Sequence, residues 1–194
     1  MGNATLKDRI RELIARHAPA GIDIAKDINE HPETGFRENR TAGLVAQFFD
    51  HIDIPYRDHL ALSGVRGDLI GGHEGPRVAV MGELDSLIVP GHPFADRNNA
   101  FALACGHHSQ IGTMLTVAAV LSDPDVREGL HGNVALMAVP AEEFIELEYR
   151  DTLRQQGKLE FMGGKAERVR LGVFDDIDIS LLTHSSSNST EGLL

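Results

Sequence analysis

RVAVMG occupies residues 77–82 and runs straight into Glu83-Leu84-Asp85. A short β-branched run closed by glycine predicts a strand, and the acids follow where that strand ends. Two more runs have the same form. Asn133 to Val139 (NVALMAV) is apolar throughout, as a buried strand requires, and leads into Pro140-Ala141-Glu142-Glu143. Asp178 to Thr183 predicts a third strand, with His184 directly after it. In open α/β sheets ligands gather beyond the carboxyl ends of the strands. These strand ends therefore deliver Asp85, the Glu142-Glu143 pair and His184 to one rim.

The flanking segments have helical spacing. Leu6, Ile10, Leu13 and Ile14 mark one helix, and Ile22, Ile24, Ala25 and Ile28 a second, after a break at Pro19-Ala20-Gly21. The loop HPETGF (31–36) ends it. A third helix is expected from 38 to 51, with Leu44, Val45, Phe48 and Phe49 on its buried side, stopped by Ile54-Pro55. Gly64 to Ile70 reads as a strand joined to 77–82 by the turn GGHEGP, in the manner of a hairpin. A polar loop (90–100), a helix (109–121), a charged segment (142–160) and a helix (164–171) complete the order. Helices alternating with buried strands indicate an α/β fold with a mixed, largely parallel sheet flanked by helices.

The 194 residues, 42% of them hydrophobic, suffice for one domain with a core. Lys and Arg total 18 against 29 Asp and Glu, a net charge of -11, which repels nucleic acid and anionic membrane surfaces. The N-terminus lacks the apolar run of a secretory signal, and no stretch approaches the roughly 20 apolar residues of a membrane span. A single cysteine excludes an intrachain disulfide and suits a reducing compartment, so a cytoplasmic protein is expected.

That cysteine, Cys105, lies in Cys105-Gly106-His107-His108 ahead of the 109–121 helix. Gly106 allows a turn tight enough for both flanking side chains to point the same way. Each piece has a bland reading: Cys105 as inert packing, His184 as a strand terminus, Glu142-Glu143 as a solvated helix start. Their arrival at successive strand ends favours a site. Cys105, His107, Glu143 and His184 make a sulfur, nitrogen and oxygen donor set for one or two divalent ions, Zn²⁺ or Mn²⁺.

In order, HPETGFREN (31–39), GELDSL (82–87), CGHH (105–108), PAEE (140–143), GGKAERVRLGVFDDID (163–178) and TH (183–184) resemble the aminoacylase and carboxypeptidase-G-like metallopeptidase family. The nearest branch is that of the indole-acetyl-amino-acid and p-aminobenzoyl-glutamate hydrolases. The resemblance implies that Cys105, His107, Glu143 and His184 are metal ligands. It also implies that Glu142 is the general base taking a proton from water, and that Asp85 is the acid orienting the site. The implied reaction is hydrolysis of the amide of an N-acyl or N-aroyl amino acid by a homo-oligomeric enzyme. Two alternatives stand beside it: a metal-dependent aromatic amine hydrolase of the nitroanthranilate aminohydrolase type, and a catalytically silent metal- or partner-binding fragment.

Three features depart from the family pattern. Position 108 is His in place of Asp or Asn, which would perturb a second metal or add a ligand. Segment 144–161 is longer and more acidic than the usual link. Family members also run to about twice this length, with a lid and dimerisation domain and a second catalytic half. The expectation is that residues 1–194 form the N-terminal part of the catalytic domain and that the remaining C-terminal polypeptide is a partner.

Overall fold

The computed structural model describes residues 3–185, with side chains from residue 6. Its centre is a five-stranded sheet: β1 (Tyr56–Leu60), β2 (Gly64–Ile70), β3 (His73–Glu83), β6 (His131–Val139) and β7 (Ile179–Leu182), in the order β1-β2-β6-β3-β7. Strands β3, β6 and β7 run parallel, whereas β1 and β2 are antiparallel additions at one side. The mixed α/β class expected from the sequence is therefore observed.

Alternation along β6 divides the core between the two faces. Val134, Leu136 and Ala138 face α2 (Asn39–His51) and α3 (His107–Leu121), packing with Phe49, Ile111, Met114 and Leu115. Ala135, Met137 and Val139 face the other way, toward Val173 and Phe174. Those two residues follow α6 (Gly164–Arg170). Every one of these β6 residues is 9% exposed or less, which explains the unbroken apolar run.

Two local expectations are corrected. Residues 64–70 and 77–82 are not a closed hairpin, because β6 lies between them, antiparallel to β2 and parallel to β3. The glycines of GGHEGP serve close passage around the start of β6: a Cβ on Gly71 would lie 2.9 Å from that of Leu130 and one on Gly75 2.8 Å from the nitrogen of Gly132. The hairpin actually present joins β1 and β2, pairing Tyr56 with Gly67.

Nor does the N-terminal helix break at Pro19. α1 is one helix, Asn3–Glu30, and Gly21 is where it crosses α3. A Cβ on Gly21 would lie 2.7 Å from the Gly112 carbonyl oxygen, so the glycine marks backbone contact between helices. That packing offsets the missing Pro19 N–H.

The loop at 90–100 is bracketed by a two-stranded ribbon, β4 (Leu87–Ile88) with β5 (Phe101–Ala102). α4 (Pro124–Glu128) leads to β6, and the charged segment after Glu143 contains α5 (Leu147–Gln155), which its acidic composition concealed. No helix among the described residues is long and apolar enough to cross a membrane.

Candidate metal centre

The register of the sheet brings the strand ends level. Glu83, the last residue of β3, pairs with Val139 of β6, and Met81 pairs with Leu182 of β7. Two residues further along each chain, His184 comes level with Glu83. The Cys105 loop closes on the same rim because Gly106 adopts φ 89° as the cap of α3, turning Cys105 and His107 to one side. Ser185 Oγ donates to the Cys105 carbonyl at 2.9 Å and ties the end of β7 to this loop.

His107 is fully buried at the centre. Its Nδ1 donates to the Asp85 carbonyl at 2.8 Å, which fixes the proton there and leaves Nε2 facing the acids. Nε2 lies 2.9 Å from Glu83 Oε2, 3.9 Å from Glu142 Oε2 and 4.0 Å from Glu143 Oε1. Adjacent residues in a strand would point apart, so both glutamates reach this nitrogen only because the chain curls. Ala141 supplies the curl with φ 49°; Glu38 Oε1 accepts its N–H at 2.8 Å, and Asp85 Oδ2 accepts that of Glu143 at 2.8 Å.

Cys105, His107 and Glu143 offer ligand atoms that all lie within 4.8 Å of one another. Glu83, His107 and His184 form a second such group. Three of the four ligands expected from sequence thus converge as one set. His184, which is exposed, instead joins His107 from the Glu83 side, its ring edge-on at 6.2 Å between centroids. His108 belongs to neither group and lines a groove between α1 and α3 beside Ile14 and Ile22.

The residues present fit a divalent cation. Both carboxylate oxygens of Glu83, Oδ1 of Asp85 and Nε2 of His107 are buried without a hydrogen bond of acceptable geometry. Lys165 and His107 meet Glu83 as charge partners, which leaves Asp85 Oδ1 buried with no hydrogen bond, and a buried acidic cluster of this kind favours a cation among its members. Electrostatics agree. Burial opposes protonation of His107, but contacts with Asp85, Cys105 and Glu83 outweigh it and push its pKa up to about 12. Burial likewise opposes ionisation of Glu83, yet His107 and Lys165 lower its pKa to about 2. Burial, then the neighbouring Glu142, raises that of Glu143. The pocket accommodates positive charge.

Three contributors went unassigned in the sequence. Glu83 was visible only as part of a strand end. Lys165, inside the GGK stretch, pairs with Glu83 and lies 3.7 Å from Glu142 Oε1. Arg150, from the charged segment, is fully buried beneath the Glu142-Glu143 loop, a position that no local pattern announces.

Fold and donor set have counterparts among proteins described as amidohydrolases and peptidases. Among solved structures, the chain superposes on a Bacillus subtilis protein described as a dinuclear metal-binding peptidase of the M20 family. The TM-score is 0.67 at 24% identity, covering 86% of this chain and 42% of that one, a likeness of fold. By sequence it is 27% identical to the N-acyl-L-amino acid amidohydrolase of Geobacillus stearothermophilus, over 92% of this chain and 44% of the relative. It is 33% identical to IAA-amino acid hydrolase ILR1-like 2 of Arabidopsis thaliana, over 71% of this chain and 31% of the relative. The chain spans less than half the length of these relatives. No protein-family model matches it. The homologues are amidohydrolases, as the motif resemblance implied.

Proposed function

We propose that this chain carries the metal-binding face of a hydrolase that cleaves a C–N bond, foremost the amide of an N-acyl or N-aroyl amino acid. The observation that carries this reading is the convergence of Cys105, His107 and Glu143 on one point, with Glu142 facing the same imidazole nitrogen and not needed to complete the set. A purely structural metal site has no use for a spare carboxylate.

Cys105, His107 and Glu143 would hold a divalent ion, Mn²⁺ or Zn²⁺, and Glu83 and His184 would be the added ligands for a second. Such an ion lowers the pKa of water and polarises the amide carbonyl. Glu142 does the proton work: its side chain, 34% exposed, takes a proton from water as the water oxygen adds to the carbonyl carbon. It returns that proton to the nitrogen as the C–N bond breaks, leaving a carboxylic acid and an amine. Lys165, close to Glu142 Oε1, steadies that oxygen while Oε2 faces His107. Asp85 orients the site, accepting from His107 through its carbonyl and from Glu143 N–H through its carboxylate.

A lone cysteine used as a ligand suits the reducing cytoplasm. The exposed apolar residues of edge strand β7, Ile179, Leu181 and Leu182, suit a sheet continued by further polypeptide of the same protein. The test is Glu142→Gln. Metal content should be unchanged while release of amino acid from N-acyl and N-aroyl amino acids falls by about a hundredfold or more. Ammonia release from an aminoarene, run in parallel, reports the alternative aromatic substrate. Unchanged turnover in the variant would remove Glu142 from the mechanism.

A further inference from the structure

The turn that lets Glu142 and Glu143 face the same nitrogen needs more than the two anchors on its N–H groups. Its carbonyls also require partners, because Ala141 is buried and Glu142 and Glu143 are half-buried. The Ala141 carbonyl accepts from the Gly164 N–H at 3.1 Å and that of Glu143 from the Ile145 N–H at 2.9 Å, and one side chain reaches both as well. The guanidinium of Arg150, on the first turn of α5, donates from Nη1 to the Met162 carbonyl at 2.9 Å and to the Ala141 carbonyl at 3.4 Å, and from Nη2 to the carbonyl of Glu143. Side chains on a helix lean toward its N-terminus, which aims Arg150 back at the residues preceding α5.

The rest of the neighbourhood is built around this group. The Phe36 ring lies 5.4 Å and the Phe144 ring 5.9 Å from the guanidinium carbon. Gly35 makes room for it: a Cβ there would run into Arg150 Nη2 and lie 2.9 Å from Ala141 Cα. Arg37 pins the same helix, bonding Glu146 at 2.9 Å and stacking 3.8 Å from the centre of the Tyr149 ring. The HPETGFREN stretch is thus a socket for the 144–161 segment.

We propose that Arg150 is the positioning residue of the Glu142-Glu143 loop, so that segment 144–161 braces the site from below. Arg150 is fully buried and has no access to substrate; it acts through the backbone of Ala141 and Glu143. Its effect on metal binding rests on the hydrolase reading, whereas its hold on the loop does not.

The test uses the full chain with Arg150→Lys and Arg150→Met. Leu153→Ala is the packing control, since Leu153 belongs to the same helix and to the apolar cluster with Phe36 and Ala141. Mn²⁺ affinity is measured by calorimetry, and amide exchange of residues 141–145 by mass spectrometry without metal. Mn²⁺ affinity should fall from Arg to Lys to Met, the Met variant binding about tenfold more weakly or worse, with faster exchange in the loop. An ammonium reaches fewer carbonyls than a guanidinium, so Lys falls between. Leu153→Ala should lower the melting temperature and leave affinity and loop exchange alone. Unchanged affinity and exchange in Arg150→Met, or the same losses in Leu153→Ala, would overturn the proposal. Should the Met variant fail to fold, the Lys variant decides by the same two measurements. A parent chain that binds no Mn²⁺, yet loses loop protection in Arg150→Met, would sink the hydrolase reading and leave the brace standing.

Discussion

Asp85 holds His107 by its backbone and Glu143 by its side chain: its carbonyl accepts from His107 Nδ1 and its Oδ2 from the Glu143 N–H, each at 2.8 Å. One residue therefore sets both the tautomer of the central imidazole and the height of the neighbouring carboxylate. Asp85→Ala keeps the first bond and loses the second, leaving a partly buried N–H without that partner. The expected cost is about 1–3 kcal/mol in urea unfolding. Divalent-metal affinity should weaken about tenfold or more. Asp85→Asn retains an acceptor for Glu143 and should sit nearer the parent on both measurements.

Metal binding should release a proton. With its pKa pushed up to about 12, His107 is charged at pH 7 in the metal-free chain and must become neutral to act as a ligand. Affinity for Mn²⁺ or Zn²⁺ should therefore rise by up to about tenfold per pH unit between pH 6 and 8 for the His107 proton, and further for the proton that the Cys105 thiol gives up on becoming a thiolate ligand. Calorimetry in buffers of different ionisation enthalpy counts the protons directly. The linkage sign for stability follows from the raised pKa. The contribution of His107 to the metal-free fold is complete below the unfolded value near 6.5 and is lost as pH rises through about 12.

Glu38 gives a pH response of its own. Burial raises its pKa to about 7, against the hydrogen bonds it accepts from Ser63 and the Ala141 N–H. Because the folded value lies above the unfolded one near 4.5, its stabilising contribution is present below pH 4.5 and is lost as pH rises through about 7. Glu38→Gln preserves the acceptor for Ala141 and cannot ionise. Unfolding free energies at pH 5 and pH 8 should show the parent losing on the order of 3 kcal/mol relative to this variant.

Gly21→Ala tests the helix crossing. The added methyl would press on Gly112 backbone and Thr116, so α1 and α3 must separate. Although alanine favours a helix over glycine, overpacking should win, with a net loss of about 1–3 kcal/mol in thermal or urea unfolding.

The strands at 77–82, 133–139 and 178–183 and the helices α2, α3 and α6 were legible because apolar runs and helical periods are local. Their parallel order followed from alternation. Strand order was not legible where a distant element intervened, and nothing between 64 and 82 says that β6 enters from some sixty residues later. Pro19 and Gly21 misled for a related reason. Their local meaning is a break, but a glycine pressed against another helix stabilises the very segment it was expected to end. At the site, Glu143 stood out because it follows a strand end, and Cys105 and His107 because a glycine turn sets them side by side ahead of a helix. Glu83 and Lys165 form a pair across elements, and Arg150 bonds to backbone carbonyls, so neither arrangement leaves a spacing to read.

The proposed hydrolase requires Cys105, His107 and Glu143 to share a cation. Co²⁺ substitution tests it most directly, because a thiolate ligand gives a charge-transfer band in the near ultraviolet. The band should appear on adding Co²⁺ to the metal-free chain and disappear in Cys105→Ser, with His107→Ala abolishing tight binding. A Co²⁺ complex lacking the band, or one unchanged by Cys105→Ser, would contradict it.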